Sequence, residues 1–420
     1  MRWLLFCRTS FSQSLYKRRG GFDFQQKFGL VNVKLKWVKD KELDSVVARE
    51  KYLRAVCNLV SIISSAPGSR LPVFHLNRHR GQLVLPEDLK LASFIRRYPN
   101  IFVEYDYRDS AGTRVPTFGL TPEARDLYHE EVNVLRLNQE DILERLCKLL
   151  MLTSERTLPL HSIDQLKWDL GLPYDYQDSL IPNHPELFIL IKLSTDLVGL
   201  RLVSWDERLA VSKLQRNATW QQTREDLRNN RLAFPVKFTR GYGLKRKCME
   251  WLQEWQTLPY TSPYVNASHL DPRTDVSEKR NVGVFHELLH LTLGKKTERK
   301  NVSNLRKAFA LPQKFTKVFE RHPGIFYISM KCDTQTVILK EAYEKGQLLE
   351  KHPLVGIREK FSSMMNEGFL DRSRGLYKRS SDSDFERSRV KIDHRVSSGE
   401  ESDGYLLSDN DSDDPIVDPS

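Results

Sequence analysis

The feature that most constrains the fold is a motif that occurs three times along the chain. Each copy opens with Leu-Pro, reaches a second proline 11 to 13 residues later, and continues through a phenylalanine into an apolar run. The copies span residues 85–102, 172–188 and 311–326. Proline lacks an amide hydrogen and biases the residue before it towards extended backbone, so each second proline should end a helix and place the phenylalanine at the start of a strand. The sequence therefore predicts three copies of one structural unit.

The segments around each copy indicate what that unit contains. The opening proline is well placed for the first turn of a helix, and a further helix is expected before the second and third copies, at 163–170 and 305–309. After the phenylalanine, two short apolar runs are typical of a β-hairpin. Helix, turn, helix and hairpin is the plan of a winged-helix-like module. We therefore predict an α+β, mostly helical protein with three tandem winged-helix-like modules, whose Phe102, Phe188 and Phe326 lie in the core.

An insertion separates the second module from the third. The closing prolines are 86 residues apart and then 138, and the excess of about 50 residues contains the stretch 234–264. Its first part, 234–247, has no acidic residue, and the rings of Phe238 and Tyr242 lie among its cations. Those cations are Lys237, Arg240, Lys245, Arg246 and Lys247. Cations meet phosphates and rings stack on bases, so these residues are the predicted RNA contacts, and the alternative is a solvated basic rim.

The second part of this stretch is predicted to be a helix with one apolar face. Cys248, Trp251, Leu252 and Trp255 recur at helical spacing, and prolines at 259 and 263 follow. Aromatic residues at such spacing normally pack inward, so we expect both tryptophans, with Phe234, to be core residues.

The whole stretch resembles the hallmark segment of the plant organelle RNA recognition domain family. The resemblance lies in FPVKFTRGYGLKRKCMEWLQEWQTLPYTSPY and extends over about 33–365. It implies binding of organellar RNA and, as in known members, assistance to the splicing of group II introns. It carries no catalytic residues, so we expect a protein that is not an enzyme and has no cofactor. No apolar run approaches the roughly 20 residues that a membrane span needs, so no membrane partner is expected. The expected partners are organellar intron RNA and other splicing factors.

The distribution of charge agrees with a polyanionic partner. Residues 380–420 hold 12 acidic and 4 basic residues, a net charge of −8; since the chain totals +11, the first 379 residues carry +19. Two clusters in the first module are further candidates for phosphate contact, although at any single one of these positions a solvated surface arginine is the more common state. They are Arg78 with Arg80, and Arg96 with Arg97.

The two ends of the chain and one internal segment differ in composition from the rest. Residues 1–22 hold five basic residues and no acidic one, so 1–30 is predicted to be an organellar presequence, mitochondrial by preference and chloroplastic as the alternative. Residues 371–420 are rich in Ser, Asp and Glu and are predicted to form a disordered acidic tail. Residues 265–281 are predicted to be a polar linker.

One motif points to a different class of protein. His286, Glu287 and His290 form His-Glu-x-x-His, which on a helix can bind zinc with the glutamate as general base. The metzincin pattern wants glycine three positions after the second histidine, and the chain has Leu293 there. Apolar neighbours favour a buried helix capped by Gly294, and five scattered cysteines without Cys-x-x-Cys argue against a zinc ribbon.

The preferred interpretation is therefore an RNA-binding protein, without a metal, that assists group II intron splicing in an organelle. Two alternatives remain open at this point: an organellar DNA-binding winged-helix protein, and a zinc metalloprotease built on the histidine motif.

Overall fold

The computed structural model describes residues 37–108, 112–221, 232–242 and 246–373. The predicted presequence and Lys245 lie outside the described residues, as does the predicted acidic tail apart from 371–373, which continue a helix.

Three copies of one unit make up most of the described chain. Each has a helix, a short strand, a second helix, a short third helix and two further strands. The first unit consists of α2 (Leu53–Ser64), β1 (Arg70–Pro72), α3 (Val73–Arg78), the one-turn α4 (Arg80–Leu83), α5 (Leu91–Ile95), β2 (Phe102–Arg108) and β3 (Arg114–Leu120). The second consists of α7 (Gln139–Met151), β4 (Thr157–Pro159), α8 (Leu160–Leu170), α9 (Tyr176–Ser179), β5 (Phe188–Ser194) and β6 (Leu197–Leu202). The third consists of α12 (Asp275–Leu291), β7 (Lys296–Glu298), α13 (Arg299–Asn304), α14 (Lys317–Arg321), β8 (Phe326–Ser329) and β9 (Thr336–Leu339).

The sheets of the three units share one topology. Each is antiparallel with its last strand in the centre, in the orders β1-β3-β2, β4-β6-β5 and β7-β9-β8. The registers also correspond, because the phenylalanine that opens each hairpin pairs with a leucine that closes it. The pairs are Phe102 with Leu120, Phe188 with Leu202, and Phe326 with Leu339. The predicted repeat and the α+β class are confirmed at this level, while the winged-helix identity of the units stays a prediction.

Each closing proline precedes a strand that opens at the predicted phenylalanine. In each unit the carbonyl of the residue before that proline accepts a hydrogen bond from the amide of the phenylalanine. The three carbonyls belong to Tyr98, His184 and His322, with N···O distances of 3.0, 3.1 and 3.0 Å. The phenylalanines are at most 5% exposed, so their predicted place in the core is confirmed.

The opening prolines do not begin long helices as predicted. In each unit the amide three residues later donates to the proline carbonyl, which forms a single turn. These bonds join Leu89 to Pro86, Tyr176 to Pro173, and Phe315 to Pro312. Short helices of four or five residues follow, and they end four, six and two residues before the second proline of the first, second and third units.

The remaining elements connect and cover the units. They are α1 (Lys41–Arg49), α6 (Pro122–Leu137), α10 (Lys213–Gln221), α11 (Arg246–Gln256), α15 (Pro353–Ser373) and a small hairpin of β10 (Tyr343–Glu344) and β11 (Gln347–Leu348). Helix α6 begins with Pro122 in its first turn, and the Thr121 side chain accepts a hydrogen bond from the Ala124 amide. None of the helices in the described ranges combines the length and apolar character needed to cross a bilayer.

Two hydrophobic cores hold these elements. The first unit packs with α6 and with apolar side chains of α15, among them Ile357 and Phe361. The second and third units share the other core with α1 and the insertion, including Phe234 and Trp255. The insertion is thus integrated with the second and third units.

The predicted polar linker is wrong in its last part. Residues 275–281 form the first turns of α12, and the Thr274 side chain accepts a hydrogen bond from the Ser277 amide. These polar residues looked solvated in the sequence, yet Glu278 lies buried against His322. Two smaller corrections concern helix ends: α13 precedes the expected 305–309 segment, and α12 ends at Leu291 with Thr292 extended instead of continuing to Gly294.

Candidate nucleic-acid interface

Helix α12 is the support on which the insertion is built. It is buried along nearly its whole length, and its polar side chains serve internal contacts. The Lys279 Nζ donates to the carbonyls of Gln256 and Leu258, at 2.8 and 2.7 Å, and so caps the C-terminal end of α11. The carbonyl end of a helix carries partial negative charge, which favours a cation there. Burial lowers the pKa of Lys279 to about 7.

Phe234 anchors the start of the basic segment in the core. Its ring centroid lies 5.8 Å from that of Trp255, 6.0 Å from Tyr260 and 5.2 Å from His286. The Gln256 side chain accepts from the Phe234 amide and donates to its carbonyl, both at 2.9 Å. The predicted core roles of Phe234 and Trp255 are confirmed, while Trp251 is partly buried against the same core.

The segment 232–242 then lies along the third unit. The Lys237 amide donates to the Gly324 carbonyl at 2.8 Å, and the Thr239 hydroxyl donates to Asp40 at 3.0 Å. Gly324 has to be glycine for steric reasons, because a Cβ there would overlap the Val236 side chain and stand 3.0 Å from the Phe238 ring. The segment is therefore held by its backbone and by side chains from distant parts of the chain.

Three of the predicted RNA contacts in this segment already have partners inside the protein. Lys237 Nζ donates to the carbonyls of Glu341 and Tyr343, both at 3.1 Å. Phe238 and Tyr242 are half-buried and pack on each other with ring centroids 5.2 Å apart. Their roles in phosphate contact and base stacking stay predictions, and Lys237 would have to leave its carbonyls to fulfil them.

The other cations of the insertion are available to solvent. Arg240, Arg246 and Lys247 are exposed, and Arg240 and Lys247 form no ion pair within the described ranges. Arg246 pairs with Glu250 one turn along α11, with Nε 2.8 Å from the carboxylate. Such an exposed pair is worth only about 0–1 kcal/mol, so a phosphate can compete for the arginine.

Of the four candidate arginines of the first unit, two have side-chain partners inside the protein and two are exposed without one in the described ranges. Arg96 forms a two-bond contact with Glu104, at 2.8 and 2.6 Å, and Arg80 donates to the Pro86 and Glu87 carbonyls at 2.7 and 3.0 Å. Arg78 and Arg97 are exposed, and their side chains make no hydrogen bond or ion pair with the part of the chain that the structure describes. These arginines belong to the unit with the separate core, so the packing does not join them to the insertion.

The structure adds cations that the sequence analysis missed. Lys90 and Lys314 each lie nine residues before the closing proline, in the first and third units, and both are exposed. The second unit has the buried Tyr176 there. Lys317 is exposed on α14, whose Arg321 lines one small cavity with Phe238 and Cys248. Aligning the three motifs on their closing prolines would have identified this pair of lysines.

Glu287, the supposed base of the histidine motif, has a structural role instead. It is 1% exposed, and its Oε1 accepts from Lys148 Nζ and the Tyr264 hydroxyl, each at 2.7 Å. Its Oε2 accepts from the Lys213 amide at 2.6 Å. Burial by itself would raise the pKa of Glu287, but the lysine and these hydrogen bonds hold it below the usual value. With both oxygens occupied, the residue is not placed to activate a water, and the metalloprotease alternative is wrong on this point.

The two histidines of the motif meet a different carboxylate. His286 Nε2 and His290 Nε2 lie 2.8 and 2.6 Å from the same oxygen of Glu341, which is in the 3₁₀ turn Lys340–Ala342 after β9. Burial and the neighbouring His286 lower the pKa of His290 to about 4, so its imidazole is neutral at neutral pH.

Taken together, the described residues define a class of protein: a basic α+β scaffold of repeated units, with aromatic residues turned inward and free cations on the segments between them. The chain belongs to the plant organelle RNA recognition domain family, whose domain it matches over residues 38–370.

Several relatives share most of this length. The protein WHAT'S THIS FACTOR 9, mitochondrial, of Arabidopsis thaliana is 36% identical over 350 residues, covering 82% of this chain and 88% of the relative. The protein WHAT'S THIS FACTOR 1, chloroplastic, of Zea mays is 32% identical over 333 residues, covering 78% and 66%. The protein ROOT PRIMORDIUM DEFECTIVE 1 of Arabidopsis thaliana is 28% identical over 339 residues, covering 78% and 82%. No solved structure matches the chain.

Proposed function

We propose that this protein binds intron RNA in a plant organelle and assists the splicing of group II introns there. Membership of an RNA recognition family supports the ligand class. The observation that carries the proposal is the state of the cations of the insertion: Arg240, Arg246 and Lys247 stand exposed at the edge of a segment that the core holds firmly. Cations on a fixed support bind phosphates without first having to be ordered.

The proposed role is physical, not chemical. Group II introns carry their own reactive centre, so a protein partner needs only to neutralise phosphates and hold unpaired segments while the RNA folds. The three units, interpreted as winged-helix-like modules, would present Lys90 and Arg97 from the first and Lys314 and Lys317 from the third. Other splicing factors would join the same RNA.

We place the protein in the mitochondrion, with the chloroplast as the alternative. The basic, acid-free residues 1–22 are typical of an organellar presequence. The relatives named above are called mitochondrial in one case and chloroplastic in another, which supports an organelle without choosing between the two.

Removal of three cations tests the RNA interface. Arg240, Arg246 and Lys247 are replaced together by Ala in the full chain, and affinity for a fluorescent single-stranded intron fragment is measured across a series of salt concentrations. If each cation meets one phosphate, the slope of log K against log salt should fall by about 2, since each contact to single-stranded RNA contributes about 0.7.

A matched control removes exposed arginines elsewhere. Arg125→Ala with Arg136→Ala takes two cations from α6 and should leave the slope close to that of the wild type. An unchanged slope in the folded triple variant would refute this interface. An equal loss of slope in the control would show that the effect comes from the general charge of the protein. Stronger competition by duplex DNA than by RNA would favour the DNA-binding alternative.

A further inference from the structure

The histidine motif that the proposed function does not use converges with a third potential ligand. His286 and His290 lie four residues apart on α12 and so share one face of the helix. Glu341 approaches that face from the turn after β9, 51 residues beyond His290 in sequence. The side-chain nitrogens of the two histidines and a carboxylate oxygen of Glu341 all lie within 4.8 Å of one another, and no second group of this kind occurs within the described ranges.

The hydrogen bonding of this cluster is incomplete. One oxygen of Glu341 accepts from both imidazoles, while its other oxygen is buried and has no partner. The His290 Nδ1 is also buried without a partner, so no hydrogen bond from that side selects the tautomer of its ring. Unpaired buried polar atoms are uncommon in native proteins, and a bound ion would give the free oxygen of Glu341 a partner.

Within the described chain, the carboxylate of Glu341 pairs only with the two histidines. Glu341 is only 12% exposed in its side chain, and its carboxylate forms no ion pair with a lysine or arginine of the described chain. The nearby Lys237 Nζ reaches only the backbone carbonyl of Glu341. A buried carboxylate usually has a countercharge close by, because an isolated charge in a protein interior is costly.

We propose that His286, His290 and Glu341 bind a divalent transition-metal ion of the zinc type, which clips the turn after β9 to helix α12. Two imidazoles and a carboxylate are ligands that zinc uses in proteins. In a tetrahedral site with zinc bonds of about 2.0–2.2 Å, ligand atoms stand about 3.3 Å apart. The present separations of 2.6 and 2.8 Å therefore need to open by about half an ångström, or Glu341 can turn its unpartnered oxygen to the ion. A water would complete the coordination.

The site is structural and not hydrolytic. The acid that would activate a metal-bound water in this motif is Glu287, and Lys148, Tyr264 and the Lys213 amide occupy it from the other side. The ion would instead fix the turn Lys340–Ala342, which supports the basic segment 232–242. The turn Lys340–Ala342 binds that segment directly, since Lys340 Nζ donates to the Thr239 hydroxyl at 2.7 Å and the Glu341 carbonyl accepts from Lys237.

Titration of the purified full chain with zinc ion tests this site. After treatment with a chelator and dialysis, isothermal titration calorimetry with zinc chloride should show one site per chain, with a Kd in the micromolar range or below, and a rise in the thermal melting temperature. His290→Gln and Glu341→Gln should each weaken binding by about 100-fold or more, since even loss of a group behind a ligand costs 10–100-fold. His269→Gln removes an exposed histidine and should change nothing.

A second measurement does not depend on the folding of the variants. Cobalt ion added to the wild-type chain should give the visible absorption bands of a tetrahedral site, and zinc should abolish them. The proposal is overturned if the wild-type chain binds no zinc or if folded Glu341→Gln binds it as tightly as the wild type. It is also overturned if cobalt shows only the absorption of the octahedral hydrated ion. Because none of these readouts involves RNA, the zinc site and the RNA interface can fail separately.

Discussion

Replacing Glu287 by glutamine should destabilise the fold strongly. The carboxylate is 1% exposed, and its partner Lys148 is 5% exposed in its side chain, with Nζ 2.7 Å from Oε1. Glutamine keeps the shape but removes the charge, so the lysine is left buried without its anion. One end of the new amide must also turn N–H groups towards the donors Lys213 N or Tyr264 OH. Removing one partner of a buried ion pair costs about 3–5 kcal/mol, and leaving a buried donor unpaired by itself costs about 1–3 kcal/mol.

Urea denaturation followed by tryptophan fluorescence measures this cost. Glu287→Gln should lower the free energy of unfolding by about 3–5 kcal/mol. The same substitution at Glu250, which pairs with the 92% exposed side chain of Arg246, should change it by at most about 0.5 kcal/mol. Adding Lys148→Met to Glu287→Gln should restore part of the loss, because no buried charge then remains unpaired.

The result that would refute this reasoning is a Glu287→Gln protein as stable as the wild type. Glu287 would then not be an anchor between α12 and the second unit, and its place in the His-Glu-x-x-His motif would again need a chemical explanation.

Two further predictions concern the packing of the basic segment against Gly324 and the stability of the protein in acid. Gly324→Ala should destabilise the protein by about 1–3 kcal/mol and speed protease cleavage near Lys237, because the new Cβ overlaps Val236. The control Gly356→Ala has open space around it in α15 and should be neutral or slightly stabilising. Equal stability of the two variants would contradict this packing. Burial alone would raise the pKa of Glu278, but hydrogen bonds and charge from His322 and Arg321 hold it below the ordinary value of 4.5. Its stabilising contribution is therefore present above pH 4.5 and is lost as the pH falls through the lower pKa of the folded state. The difference in stability between wild type and Glu278→Gln should shrink from pH 5 to pH 3. A difference that stays constant with pH would contradict this prediction.

Much of the architecture follows from local rules that can be read in one sequence. The closing prolines at 99, 185 and 323 lack an amide hydrogen and so disfavour a helix that runs through them, wherever the rest of the chain lies. That is why the repeat, the hairpins and the buried Phe102, Phe188 and Phe326 could be predicted. The helical spacing of Trp251 and Trp255 likewise indicated one inward face, because it reflects the period of the helix.

What the sequence alone could not decide is which polar residues are free. Lys237 and Arg240 look equivalent in a basic stretch, yet Lys237 is bound to carbonyls more than 100 positions away and Arg240 is exposed. His286 and Glu341 likewise meet across 55 residues. Hydrogen bonds and ion pairs depend on where distant segments come to lie, and only the tertiary structure brings these groups together.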